Sequence, residues 1–103
     1  MVTFSYNPDD KVFTVAFVGR MDTLAVQKVS EMIQVNLPAK DEKYEEKIVF
    51  DLNQVDYISS SFIRICVNVA KQTKPGQFSI AHCQPFIKKT FKISGLDELL
   101  NVT

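Results

Sequence analysis

Three consecutive serines, Ser59, Ser60 and Ser61, are the residues of this chain best suited to chemistry. They follow Val55-Asp56-Tyr57-Ile58 and precede a segment in which Phe62, Ile63, Cys66, Val69 and Ala70 recur at helical spacing. Hydroxyls at the start of a helix can do two things. One can cap the free N–H groups of the first turn, or one can carry a phosphoryl group that those N–H groups and the helix dipole favour. The residues alone leave both readings open. A hydrolase would need a histidine base and an acid that orients it, and His82 is the only histidine. No Gly-x-Ser-x-Gly elbow surrounds the serines, and Gly19, Gly76 and Gly95 are too scattered to cradle a phosphate. The acidic pairs Asp9-Asp10 and Asp97-Glu98 fall in a turn and in a short terminal helical segment. We therefore expect no enzyme, no cofactor and no metal. Cys66 and Cys83 lie too far apart for a redox pair and are too few for a zinc site with His82.

These serines need elements to hold them. Thr3 to Tyr6 and Lys11 to Val18 are rich in aromatic and β-branched residues and read as strands, joined by the turn Asn7-Pro8-Asp9-Asp10. Gly19-Arg20-Met21 is expected to break the second strand. Asp22 or Thr23 then caps a helix whose apolar stripe is Val26, Val29, Ile33 and Leu37, closed by Pro38. Residues 39–47, AKDEKYEEK, read as a charged connection. Ile48-Val49-Phe50 fits a strand buried on both faces, and Asp51-Leu52-Asn53-Gln54 reads as its end or a turn. After the serine-led helix comes the turn Thr73 to Gly76, then a strand over Phe78 to Ala81. A helix follows from Gln84-Pro85, carrying Phe86, Ile87, Thr90, Phe91 and Ser94, with Gly95 as terminator. Leu96 to Leu100 reads as a helical turn and Leu100-Asn101-Val102 as a last short strand.

The order β-β-α-β-α-β-α, with one further strand at the end, predicts a single α/β domain over residues 1–103. It has a four- to five-stranded mixed sheet covered by helices. Its βα loops, Gly19 to Thr23 and Asp56 to Ser61, should gather at one end of the sheet, where open α/β sheets bind their ligands. Twelve basic and twelve acidic side chains cancel, which removes the electrostatic case for nucleic acid. No apolar run is long enough to span a bilayer, and the N-terminus lacks a secretory pattern, so a reducing cytoplasm is expected.

With those elements in order, the chain resembles the STAS domain of bacterial anti-sigma factor antagonists. The resemblance covers the hairpin, the Gly19-Arg20-Met21-Asp22 turn, and Ile48-Val49-Phe50-Asp51-Leu52-x-x-Val55-Asp56-Tyr57-Ile58. It continues through the serine-led helix to Phe91-Lys92-Ile93-Ser94-Gly95-Leu96. In that family an Asp-Ser-Ser-Gly or Asp-Ser-Thr-Gly motif opens this helix, and the residue before the glycine is the phosphoacceptor. Ser59 stands where the family has Asp, Ser60 and Ser61 match the hydroxyl positions, and Phe62 replaces the glycine. Arg64 stands where a small residue is frequent. The resemblance implies phosphorylation at Ser61, with Ser60 as the second choice. It further implies a partner surface of Asp22, Asp56, Ser59, Ser60, Phe62 and Arg64, in which Phe62, if exposed, would be an anchor. The implied partners are an anti-sigma factor that is an ATP-binding serine kinase and a PP2C-type phosphatase. Unphosphorylated antagonist would bind the kinase and phosphorylated antagonist would release it. The alternatives are a fixed docking subunit of a signalling or transport complex, or a small-ligand binder on the same surface.

Overall fold

The computed structural model describes residues 1–37 and 46–103. Its elements are β1 (Val2–Asn7), β2 (Val12–Met21), α1 (Thr23–Asn36), β3 (Lys47–Ile58), α2 (Ser60–Lys71), β4 (Phe78–Ala81) and α3 (Pro85–Ile93). Together they form a four-stranded mixed sheet in the order β1-β2-β3-β4. The hairpin β1–β2 is antiparallel, whereas β2–β3 and β3–β4 are parallel and joined through helices. Both crossovers step the same way along the sheet, so a common hand puts α1 and α2 on one face, where they pack side by side. The expected last strand is reduced to one parallel bridge, Ile80 with Val102.

The core forms where the inward residues of the strands meet those two helices. Val15 and Phe17 from β2 and Ile48, Phe50 and Leu52 from β3 meet Val26, Val29 and Ile33 of α1 and Phe62, Cys66 and Val69 of α2. Four phenylalanines tie the layers together edge to face: Phe17 to Phe50, Phe17 to Phe62 and Phe50 to Phe78, with centroids 5.0–5.1 Å apart. Such pairs add about 0.5–1.5 kcal/mol each beyond their burial.

The sequence misplaces the end of two strands, for one physical reason. β2 does not break at Gly19 but runs on to Met21, and β3 does not end at Phe50 but continues to Ile58. Between Ala16 and Val18 of β2, β3 advances from Asp51 to Gln54, and between Gly19 and Arg20 it advances from Val55 to Tyr57. Each step gives β3 one extra residue, the geometry of a β-bulge. Asp51 Oδ1 accepts the Asn53 N–H at 3.0 Å, a local turn embedded in the strand. The bulges also shift the inward residues from every second position, Ile48, Phe50 and Leu52, to every third, Val55 and Ile58. Gly19 takes φ +98° at the second irregularity, which explains a glycine inside a strand. Asp56 therefore belongs to the second bulge of a strand and not to a loop; the connection from β3 to α2 is Ser59 alone. Pro38 and most of the charged connection over 39–47 lie outside the described residues.

Candidate functional site

The site grows from the matched ends of two parallel strands. Met21 pairs with Ile58 as the last rung of the β2–β3 ladder, and the Ser59 N–H donates to the Met21 carbonyl at 2.9 Å. The next residues, Asp22 and Ser59, are thereby held side by side, and each caps a helix. Asp22 Oδ1 accepts the Ala25 N–H at 2.9 Å, and Ser59 Oγ accepts the Phe62 N–H at 3.3 Å. A cap of this kind contributes about 1 kcal/mol. Two helix N-termini with their positive dipole ends thus open on one edge of the domain.

Ser59 is buried, and both its backbone N–H and its hydroxyl are engaged, so its part is to hold α2 in place. Ser60 and Ser61 occupy the first turn, where backbone N–H groups have no intrahelical acceptor. Ser60 is exposed and Ser61 is half-buried. Ser61 and Arg64, one turn apart on α2, line a groove of about 540 Å³ with Thr23, Gln27 and Glu31 of α1. A neighbouring hollow of about 400 Å³ shares Ser30, Ile65 and Asn68 with it, so the seam between the helices is open along most of its length.

One expectation for the partner surface fails against this geometry. Phe62 is fully buried, edge-to-face on Phe17 at 5.1 Å, and cannot anchor a partner. Because Ser59 caps the helix, Phe62 falls on the same inward stripe as Cys66 and Val69, four and seven residues on. Asp56 is exposed but lines no part of the groove, since the second bulge sets it apart from the paired residues on either side. Ser61 and Arg64 share the groove with Thr23, whereas Asp22 and Ser60 are their chain neighbours outside its lining.

The structure adds two residues to this edge. Arg20 lies with its guanidinium carbon 3.9 Å from the centre of the Tyr57 ring, and its Nε is 3.8 Å from Asp22 Oδ2. Both side chains of that ion pair are substantially exposed, so its worth is a few tenths of a kcal/mol to about 1 kcal/mol. Its effect is positional: the stacked guanidinium fixes one Asp22 oxygen while the other caps α1. Arg20 and Tyr57 are cross-strand partners only through the bulged register, which no local pattern reveals.

The remaining reactive side chains lie elsewhere. His82 stands in the turn after β4, at a level where β3 has reached only Asp51. Both cysteines are free. Burial raises the Cys66 thiol well above its usual range, with the Cys83 sulfur adding to the rise. Cys83 is pushed up to about 11, by partial burial first, with Lys88 opposing and Asp51 reinforcing. Among the described residues, no three His, Cys, Asp or Glu side chains gather as a metal site, and no helix is long and apolar enough to cross a membrane.

Comparison with known proteins agrees with this geometry. A protein described as the putative anti-sigma factor antagonist BtrV of Bordetella bronchiseptica is 37% identical over 68 residues, covering 64% of this chain and 59% of that protein's length. The structure of an anti-sigma-factor antagonist (STAS) domain protein from Planctomyces limnophilus superposes with TM-score 0.80 at 18% identity. That match covers 99% of this chain and 87% of the other. The anti-sigma factor antagonist SpoIIAA in its unphosphorylated form superposes with TM-score 0.75 at 14% identity, over 100% of this chain and 88% of its own. At such identities the two structures speak for the fold. The sequence model of the STAS domain matches residues 5–103, and the chain belongs to that family.

Proposed function

We propose that this protein is the antagonist in a phosphorylation-controlled partner switch. In its unphosphorylated form it binds an anti-sigma factor that is also an ATP-binding serine kinase. Transfer of the γ-phosphoryl group to the Ser61 hydroxyl, with Ser60 as the second acceptor, ends that binding. A PP2C-type phosphatase removes the phosphate and resets the cycle. The cycle would run in the cytoplasm, whose reducing environment suits two free thiols.

The observation that carries this reading is the position of Ser61. It lies in the first turn of α2 and lines the groove with Thr23 and Arg64. Added phosphate would bring about −1.5 to −2 charges to that groove, where the helix dipole favours them. The fold would tolerate the modification, and the surface read by a partner would become strongly negative. That surface comprises Asp22, Ser60, Ser61 and Arg64, with Asp56 beyond the groove and Ser59 acting through the helix it caps.

A second reading is a fixed docking subunit that is never phosphorylated. The half-buried state of Ser61 favours it, because a kinase needs the hydroxyl in the open. The two readings part in one experiment. The purified protein is incubated with its candidate kinase and ATP, and intact mass is measured with Ser61→Ala alongside. A single gain of about 80 Da, the mass of one phosphoryl group, that is absent in Ser61→Ala and accompanied by release of the kinase is the expected result. Tight binding without any gain would leave the docking subunit standing and remove the switch.

A further inference from the structure

The outer face of α3 presents apolar and basic side chains together. Phe86 and Ile93 are 69% and 76% exposed. They stand seven residues apart, two helical turns, so they lie on one line about 10 Å long. Lys88, Lys89 and Lys92 are exposed on the same helix, and α3 itself contains no acidic residue. No ion pair with a described residue neutralises these lysines. The polar groups on the other flank are already satisfied. The Thr90 hydroxyl donates to the Phe86 carbonyl at 3.1 Å, and the Ser94 hydroxyl to the Thr90 carbonyl at 2.9 Å. What remains presented to solvent is an apolar line bordered by positive charge.

We propose that this face docks an amphipathic helix of a partner protein, one with apolar residues at heptad spacing and carboxylates along its flank. Three features select that occupant. Charge complementarity calls for an anionic partner at the lysines. It also disfavours a second copy of this chain through the same face, which would bring three more lysines against the first three. The apolar line is one side chain wide, the width of a helix–helix seam, whereas lying in a bilayer takes a broad apolar face. The protein as a whole has formal net charge zero, so no long-range field draws it to an anionic surface, and the attraction must be local. The inference does not depend on what Ser61 does.

The test titrates isotopically labelled protein with a synthetic amphipathic helix bearing Leu at the heptad positions and Glu on both flanks. A peptide with Lys in place of Glu, and phosphatidylserine vesicles, are titrated in parallel. The expected result is shifts of amides over residues 85–94 with the Glu peptide only, weakening as salt is raised. Phe86→Ser should weaken binding about tenfold or more, as loss of an aromatic anchor does. Lys89→Glu with Lys92→Glu should weaken it as well, and this pair keeps the test valid should Phe86→Ser fail to fold, as checked by circular dichroism. Equal binding of the Lys peptide, or shifts mapping away from α3, overturns the proposal. Binding to vesicles without binding to the peptide overturns it in favour of a membrane. Self-association abolished by Phe86→Ser overturns it in favour of a second copy.

Discussion

Two helices of this domain each carry a phenylalanine in the first turn, and the two meet opposite fates. Phe62 is the third residue of α2 and has no exposed surface; Phe86 is the second residue of α3 and is 69% exposed. The inward stripes are otherwise alike. Phe62, Cys66 and Val69 fill the core from α2, and Ile87 and Phe91 fill it from α3. What differs is the place in the helix: the third residue of each faces inward, Phe62 in α2 and Ile87 in α3, and Phe86 stands one before it. Ser59 accepts the Phe62 N–H, so α2 starts at a residue whose hydroxyl is inside, whereas Gln84 makes no side-chain cap to α3 and Pro85 occupies its first position. A shift of one residue is 100° on a helix, enough to turn an aromatic ring from core to solvent. A polar first turn belongs to α2, and a basic, apolar outer face belongs to α3.

The largest effect that tests this contrast is on stability. Phe62→Ala removes a ring packed at 5.1 Å on Phe17 and should cost about 3–5 kcal/mol in urea unfolding. Phe86→Ala should stay within about 0.5 kcal/mol, as for most surface substitutions. Similar losses for the two would mean that the phase of one helix is misassigned.

Next in size is the effect on the proposed kinase partner. Ser61→Glu should weaken that binding by about tenfold or more through like-charge and desolvation costs at the contact, measured by calorimetry. Ser60→Glu, on the exposed neighbour outside the groove lining, should do less. Phe86→Ser should leave this affinity unchanged if α3 is a separate surface. A joint loss would merge the two surfaces into one.

Much of this was legible in the sequence, and what was not has a physical cause. Capping by Asp22 and by a serine, the order of elements and the inward stripe of α1 follow from spacing that local geometry imposes. The extent of β3 does not. Asp51-Leu52-Asn53-Gln54 has the composition of a turn and does make a turn-like hydrogen bond, yet the flanking residues keep pairing with β2 on both sides. A bulge borrows turn chemistry inside a strand, and only the neighbouring strand reveals which of the two it is. The same non-local register brings Arg20 onto Tyr57, so that contact had no sequence signal at all. Phe62 was readable in principle, since its spacing to Cys66 and Val69 already put it inside.

Smaller still is the cap itself. Ser59→Ala should cost about 1 kcal/mol by leaving the Phe62 N–H without its acceptor. Ser59→Asp should recover that loss, because a carboxylate both caps and complements the dipole. If Ser59→Ala is neutral in thermal unfolding, the hydroxyl contributes nothing and α2 is held by Phe62 and its neighbours alone.

The finest test compares the two cysteines, one inside α2 and one just before α3. Cys83 is half-buried with its thiol raised from 9.0 to about 11, so alkylation at neutral pH should be slow and should accelerate as pH approaches 11. Cys66, fully buried and raised by that burial, should react only through opening of the domain. The linked effect on stability has a definite sign. A thiol whose folded pKa lies above its unfolded value favours the fold while protonated, and that contribution fades as pH rises from 9.0 towards about 11. Cys83→Ser should flatten the fall of stability across that window relative to the parent. Because Cys83 is partly open to solvent, the change should be a modest one in slope. An identical slope in the parent and in Cys83→Ser would mean that the region before α3 is as open as the outer face of that helix. The contrast between the two helices would then extend from their surfaces to their roots.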